Sequence, residues 1–281
     1  MSGLVGGRGG EADCRLCGSH RLTTLISESE WLDFAATCTD ERARHAAQIN
    51  SDSALAFGGI VRCAACGFYS VARVPTPDAL TGFYQNYFAN QQYADKGPKK
   101  IRRAERWLRR LGALPRAATF VDVGCNQGFA VEAARLVGMD ASGIEIDASA
   151  VQNARARFPH CAFENATVAE HAATHAGRYD LVWCSEVLEH VPDFKGFARD
   201  LATLVKPGGR LYLTTPDAGH WRRPRDLTRW AETKPPEHIN WFTRSNLRTL
   251  FAPHGLEVRF LWRLKPGAHM VAQRPASAQR V

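Results

Sequence analysis

Across residues 117–274, short apolar runs alternate with segments whose apolar residues recur at helical spacing. The pattern predicts strands at 119–124, 140–145, 161–164, 179–184 and 209–215, and helices at 128–138, 148–157, 167–175 and 194–204. This alternation implies a parallel sheet with helices on both faces. Further on, a helix is expected from Thr243 to about Phe251. Residues 255–264 and 268–273 read as an antiparallel hairpin around Lys265-Pro266-Gly267. Upstream, Pro75-Thr76-Pro77-Asp78 marks a boundary. It is followed by an aromatic-rich helical stretch, Ala79 to Tyr93, carrying Phe83, Tyr84, Tyr87, Phe88 and Tyr93.

Composition narrows the class. The 281 residues suffice for one α/β domain and a smaller module, and a hydrophobic content of 45% suits a soluble protein. No apolar run approaches the ~20 residues of a membrane span. The glycine-rich stretch Met1–Gly10 lacks the apolar centre of a secretory signal, so a cytoplasmic protein without membrane partners is expected. The net charge of +8 is concentrated between Lys96 and Arg116, where positions 96, 99, 100, 102, 103, 106, 109, 110 and 116 are basic and only Glu105 is acidic. Ile101, Ala104, Leu108 and Leu111 fall on one helical face there. The basic residues then form either a solvated surface or an attractor for an anionic partner such as a nucleotide-sugar, a phosphorylated glycan or RNA.

The sharpest local signal is Val121-Asp122-Val123-Gly124-Cys125-Asn126-Gln127-Gly128. An apolar strand breaks at glycine and a helix follows. Gly124 and Gly128 clear the backbone for a ligand, and Asn126 tolerates the left-handed conformation. The next strand ends in Glu145-Ile146-Asp147, which puts a carboxylate where a ribose held at the first turn would present its hydroxyls. A nicotinamide dinucleotide site expects three glycines, and here the middle one is absent.

These residues resemble the first motif of the class I S-adenosylmethionine-dependent methyltransferases, with Asn126 replacing the middle glycine. The similarity continues through Glu145, then 179–184 (YDLVWC), then 204–211 (LVKPGGRL). The resemblance implies a Rossmann-like, seven-stranded, mostly parallel sheet. It assigns S-adenosylmethionine to Asp122, Gly124, Cys125, Asn126, Gly128, Glu145, Ile146, Asn165, Ala166, Cys184 and Ser185, with Asn165 a reader of the adenine amine. The expected divisions are a loose tail at 1–12, a zinc-binding module at 13–76, a helical linker at 77–116, the methyltransferase domain at 117–274 and a loose tail at 275–281.

The small module rests on two C-x-x-C-G knuckles, Cys14/Cys17 and Cys63/Cys66. Two thiolates per tight turn suit a tetrahedral four-cysteine zinc site. Iron, an iron–sulfur cluster or no metal are the alternatives, and disulfides are not expected in a cytosolic chain. Cys38 reads as a small apolar residue. The insert 28–48, which carries Trp31, Phe34, Ala43 and Ala47, is predicted to be helical, as scaffold or as lid. A similar module precedes the methyltransferase domain in some sugar-modifying methyltransferases, which implies a carbohydrate acceptor.

The fourth strand ends in Glu186-Val187-Leu188-Glu189-His190, and a helical turn there would put Glu186, Glu189 and His190 on one face. His238 follows at a distance. This pattern resembles the ubiquinone-biosynthesis O-methyltransferases and the small-RNA 2'-O-methyltransferases, where the matching residues accompany a divalent metal. Three roles stay open for Glu186, Glu189, His190 and His238: structural, a histidine base without metal, or a second metal site. In 221–229 (WRRPRDLTR), Arg222, Arg223 and Arg225 offer forked hydrogen bonds to a phosphate or carboxylate. The expected activity is O-methylation of a sugar or another small metabolite. RNA methylation and a non-catalytic binding role are the alternatives.

Overall fold

The structure, a computed structural model, describes residues 13–85, 97–112, 115, 117–262 and 264–276. Tyr87, Phe88, Tyr93, Lys96, Arg116 and the tails expected at 1–12 and beyond 276 lie outside the described residues. The strands are β1 (Leu22–Ile26), β2 (Ile60–Cys63), β3 (Tyr69–Val71), β4 (Thr119–Val123), β5 (Asp140–Glu145), β6 (Ala162–Asn165), β7 (Tyr179–Ser185), β8 (Val205–Thr215), β9 (Asn240–Trp241), β10 (Glu257–Phe260) and β11 (Ala268–Gln273). The helices are α1 (Glu28–Ala36), α2 (Glu41–Ser51), α3 (Pro77–Gln85), α4 (Gly97–Arg110), α5 (Phe129–Leu136), α6 (Ala148–Arg157), α7 (Val168–Thr174), α8 (Phe194–Leu204) and α9 (Arg244–Phe251).

Seven strands form one sheet in the order β10-β11-β8-β7-β4-β5-β6. The pairs β4–β5, β4–β7, β5–β6 and β7–β8 are parallel, and only β11 runs against its neighbours. This is the expected Rossmann-like architecture. The order turns back at β4, which places the ligand crevice outside the carboxyl ends of β4 and β7. Helix α5 starts at Gly128 without a side-chain cap, whereas α6, α7 and α9 are started by capping side chains. Asp147 caps α6, and Thr167 with Glu170 and Thr243 with Asn246 form capping boxes for α7 and α9.

Two local expectations change. Strand β8 begins at Val205, earlier than the predicted 209. Tyr179 pairs with Val205 and Leu181 with Arg210, so Lys206-Pro207-Gly208-Gly209 is taken up as an irregularity within the strand. A side chain at Gly209 would meet the Tyr179 carbonyl oxygen at 2.8 Å. The insert is helical as predicted but breaks at Thr37–Asp40 into α1 and α2. After the break, α2 buries His45, Ala46 and Ile49.

Strands β1, β2 and β3 form a second, antiparallel sheet, and β9, from far along the chain, completes it against β3. Cys14, Leu16, Cys63 and Phe68 share an apolar core with Val123, Val182, Leu213 and Phe242 of the main body. Helix α4 buries Ala104, Trp107 and Leu108 and turns Arg102, Arg103, Arg106 and Arg109 outward. Part of its charge is used in packing, with Lys100 over Phe129 and Arg110 over Trp107.

Candidate active site

The turn after β4 is built for close approach. Gly124, Asn126 and Gly128 all take positive φ, at 75°, 48° and 79°. A side-chain carbon at Gly124 would meet Val187 at 2.7 Å, and one at Gly128 would meet Phe163 at 2.6 Å. Glu145 reaches across from the end of β5. Its Oε2 accepts from the Asn126 N–H, and its Oε1 accepts from the N–H groups of Ile146 and Asp147. The predicted ribose ligand is therefore also the brace of the glycine turn. Asn165 donates Nδ2 to the carbonyls of Glu145 and Ile146, which leaves its carbonyl end as an acceptor. The Ala166 N–H donates to the Glu145 carbonyl, and Ile146 beside it is 73% exposed, an apolar surface with no cover.

Behind the turn, Asp122 is buried with Cys125 and Cys184. Burial, with the Glu145 charge adding to it, pushes the Asp122 carboxyl up to about 8. Gln127, which the sequence reading passed over, keeps a buried Oε1 without a hydrogen-bond partner in this turn.

A second constellation lies at the carboxyl ends of β7 and β8. Glu186 does not begin a helix. It takes φ +56°, and a single 3-10 turn, Leu188–His190, follows. The shared helical face expected for Glu186, Glu189 and His190 is thus not formed, because the left-handed residue swings the first carboxylate aside. Its Oε1 accepts from Thr214 Oγ1 at 2.6 Å, and Thr214 Oγ1 in turn receives the Ser185 hydroxyl.

Glu189, fully buried, accepts from Thr215 through Oε2, while its Oε1 has no hydrogen-bond partner among the described residues. His190 places Nδ1 2.8 Å from the Glu237 carbonyl, and His238 places Nδ1 2.9 Å from the Glu232 carbonyl. A carbonyl only accepts, so both rings carry their proton on Nδ1 and keep the Nε2 lone pair. Ligand atoms of Glu189, His190 and His238 lie within 4.8 Å of one another. Burial pushes His190 down to about 4 and His238 well below its ordinary value, so both rings are neutral at physiological pH.

The insert holds the loop that delivers His238. Trp31 Nε1 donates to the Thr233 carbonyl and Arg42 to the Thr228 carbonyl, and Lys234 bridges Glu41 and Glu237. Tyr84 adds a hydroxyl between Glu237 and His190. These are scaffold contacts. Arg223 is likewise engaged, donating to the Ala218 and Pro224 carbonyls, whereas Arg222 and Arg225 remain on the surface. A groove of about 380 Å³ runs between Asp217, His220, the start of α9 and two exposed indoles, Trp221 and Trp262. A further cavity of about 280 Å³ opens by Thr119 and Asp140, at the amino ends of β4 and β5, away from the cofactor turn.

The four cysteines converge. Cys14 Sγ and Cys66 Sγ are 3.6 Å apart, and Cys17 Sγ and Cys63 Sγ 3.7 Å. A disulfide needs about 2.05 Å. Sulfurs about 2.3 Å from a central zinc stand about 3.8 Å apart, which is the observed spacing. Gly18 and Gly67, at φ 73° and 72°, close the two knuckles.

The family profile described as "Methyltransferase domain" matches residues 93–261. The chain belongs to this methyltransferase family. The chain is 31% identical over 189 residues to the ubiquinone biosynthesis O-methyltransferase of Cronobacter sakazakii, an alignment covering 55% of this chain and 75% of that protein. The enzyme of the same name from Escherichia coli K12 is 39% identical over 99 residues, 34% of this chain and 41% of the relative. Among solved structures, the YcgJ protein of Bacillus subtilis superposes with a TM-score of 0.52 at 13% identity, covering 63% of this chain and all of that one. A Haloferax volcanii methyltransferase complex with the activator Trm112 gives 0.53 at 17% identity, covering 68% and 96%. These two establish the fold. In this class I S-adenosylmethionine-dependent methyltransferase, the glycine turn at the β4–α5 junction lies inside the matched segment.

Proposed function

We propose that this methyltransferase O-methylates a hydroxyl of a small metabolite, with a sugar the foremost acceptor class, and that Glu189, His190 and His238 hold a divalent metal beside that hydroxyl. The observation that carries the reading is the buried Glu189 Oε1, left without a hydrogen-bond partner among the described residues, next to two imidazole Nε2 lone pairs. Histidine ligands commonly spend their second nitrogen on a carbonyl, as both rings do here. A neutral imidazole pushed down to about 4 is a weak base for a hydroxyl, which favours ligation over proton abstraction by His190 alone. A divalent ion at such a donor set lowers the pKa of a hydroxyl and so supplies the nucleophile.

The chain's own residues do the rest. Gly124, Cys125, Asn126 and Gly128 admit S-adenosylmethionine to the backbone, Glu145 takes the ribose hydroxyls, and Asn165 Oδ1 accepts from the adenine amine. Ile146 and Ala166 flank the adenine. Asp122 and Gln127 offer acceptors to the methionine ammonium, and Cys184 and Ser185 form the floor towards β7. Glu186 acts through Thr214. Methyl transfer from a sulfonium asks chiefly for alignment of the acceptor oxygen, the methyl carbon and sulfur. The curated relatives are named as O-methyltransferases, which supports oxygen as the acceptor atom. Zinc in the four-cysteine site is structural in this reading. The test is activity after chelation that spares the cysteine-bound ion: loss, with recovery on adding Mg²⁺ or Mn²⁺, supports the reading, and full retention removes the second metal.

A further inference from the structure

Arg15 sits inside the first knuckle, between Cys14 and Cys17, yet its guanidinium points away from the cysteines. One nitrogen donates to the Ile239 carbonyl at 3.1 Å and to Asn240 Oδ1, and the other to the Pro192 carbonyl at 3.4 Å. Asn240 completes the link, donating Nδ2 to the Val191 carbonyl at 2.9 Å. The Ile239 N–H meets the Glu189 carbonyl at 3.0 Å. The two segments joined in this way, 188–192 and 238–240, carry the three groups proposed to act on the acceptor. The guanidinium also lies 5.6 Å from the centre of the Phe194 ring, at the start of α8. From the second knuckle, the Cys66 carbonyl accepts from Asn246 Nδ2 of α9 at 2.8 Å.

We propose that the cysteine knuckle is a positioning device for the active site: a metal-closed knuckle fixes Arg15, and Arg15 sets the spacing between Glu189–His190 and His238. Losing the ion frees the turn that carries Arg15. The two segments then separate while the cofactor turn, at β4 and β5, keeps its shape. Arg15 is a positioning residue, since it touches main-chain carbonyls of the segments and the Asn240 side chain and none of the reacting groups. Its planar fork suits carbonyls contributed by two strands of chain, and an ammonium cannot span them in the same way. The inference rests on the proposed role of Glu189, His190 and His238 only for its catalytic consequence.

The test is peptide-level amide hydrogen exchange on the full chain, comparing wild type, Arg15→Ala, Arg15→Lys, Asn240→Ala and zinc-depleted protein. Segments 186–193 and 236–243 should exchange at least tenfold faster in Arg15→Ala and in depleted protein, with 119–124 and 179–184 unchanged and S-adenosylhomocysteine affinity kept within about twofold. Arg15→Lys should recover only part of the protection. Depleting Arg15→Ala of zinc should add little further, because both changes release the same link. Asn240→Ala, which leaves the knuckle untouched, should loosen the same segments and covers the case in which Arg15→Ala fails to fold. Unchanged protection of these segments in Arg15→Ala or Asn240→Ala overturns the proposal. If exchange responds while Glu189→Gln and His238→Ala retain methyl transfer, the positioning stands and the assignment of those residues falls.

Discussion

His190 and His238 meet edge to face, with ring centres 4.8 Å apart and planes at 79°, and each gives its Nδ1 proton to a main-chain carbonyl. The Nε2 lone pairs thus remain beside Glu189 Oε1, which has no hydrogen-bond partner among the described residues. Two segments about fifty residues apart supply one donor set, and the insert between the cysteine knuckles braces the later of them.

The first consequence is a pH profile. Burial holds His190 at about 4 and His238 well below its ordinary value. The neutral rings are the working form, so activity is present above the depressed pKa values and is lost as pH falls through them. kcat/KM should show no inflection near the ordinary histidine pKa of about 6.5. An inflection between pH 6 and 7 that vanishes in His238→Ala would contradict this account. Glu189→Gln should lower metal affinity by more than the roughly 10–100-fold that loss of an outer-shell partner costs and leave S-adenosylhomocysteine binding unchanged in calorimetry.

Asp122 provides a second, through stability. Its folded pKa, about 8, lies above the ordinary carboxylate value. Between the two the native state holds a proton that the unfolded chain releases, so this group's contribution is fully present below the unfolded pKa and is lost as pH rises through about 8. Asp122→Asn should therefore raise Tm by several degrees at pH 8 and by little at pH 4, while weakening cofactor binding. A Tm gain that is the same at both pH values would show that Asp122 is not protonated in the fold.

Glu145 has two duties that a single substitution removes together. The sequence marks it as a ribose ligand, and the structure adds three N–H donors from Asn126, Ile146 and Asp147. Glu145→Ala should weaken S-adenosylhomocysteine at least tenfold. It should also cost roughly 1–3 kcal/mol of stability in urea unfolding, the usual penalty for stranding buried donors. Unchanged stability would mean that the turn keeps its form without the carboxylate.

Where the sequence was legible, one short stretch of chain determined the outcome. The glycine turn, the alternation of β4 to β8 and the spacing of the two cysteine pairs are all local patterns. Misreadings arose where a distant segment intervened. The insert, expected as one helical stretch, divides in two because Asp40 caps a new helix whose buried face meets Glu237 and Phe83. Glu186 left the expected helical face because Thr214, on the next strand, captures its carboxylate. Nothing local in the Arg15 knuckle marks its reach to Ile239.

The metal content of the knuckles is open to direct measurement. Elemental analysis should find about one zinc per chain, as four thiolates closing one tetrahedron require. Cys63→Ser should lose it and lower the unfolding midpoint, since Cys63 lies in the core shared with Val123 and Phe242. Zinc-free wild-type protein of undiminished Tm would reduce the cluster to four packed thiols.

The groove at Trp221 and Trp262 can be tested as the acceptor site without knowing its ligand in advance. Trp221 and Trp262 are 74% and 75% exposed, the largest exposures among the bulky apolar side chains described, and they line the same groove. The groove begins at Asp217, two positions beyond Thr215, the partner of Glu189. Indoles left open to water beside a polar floor suit stacking against a ring that also carries hydroxyls. Once a methyl-accepting metabolite has been found by screening, Trp221→Ala and Trp262→Ala should each raise its KM about tenfold, with kcat and the KM for S-adenosylmethionine within about twofold. Equal losses in both KM values would place the indoles in the fold of the cofactor site and leave the groove without a role in acceptor choice.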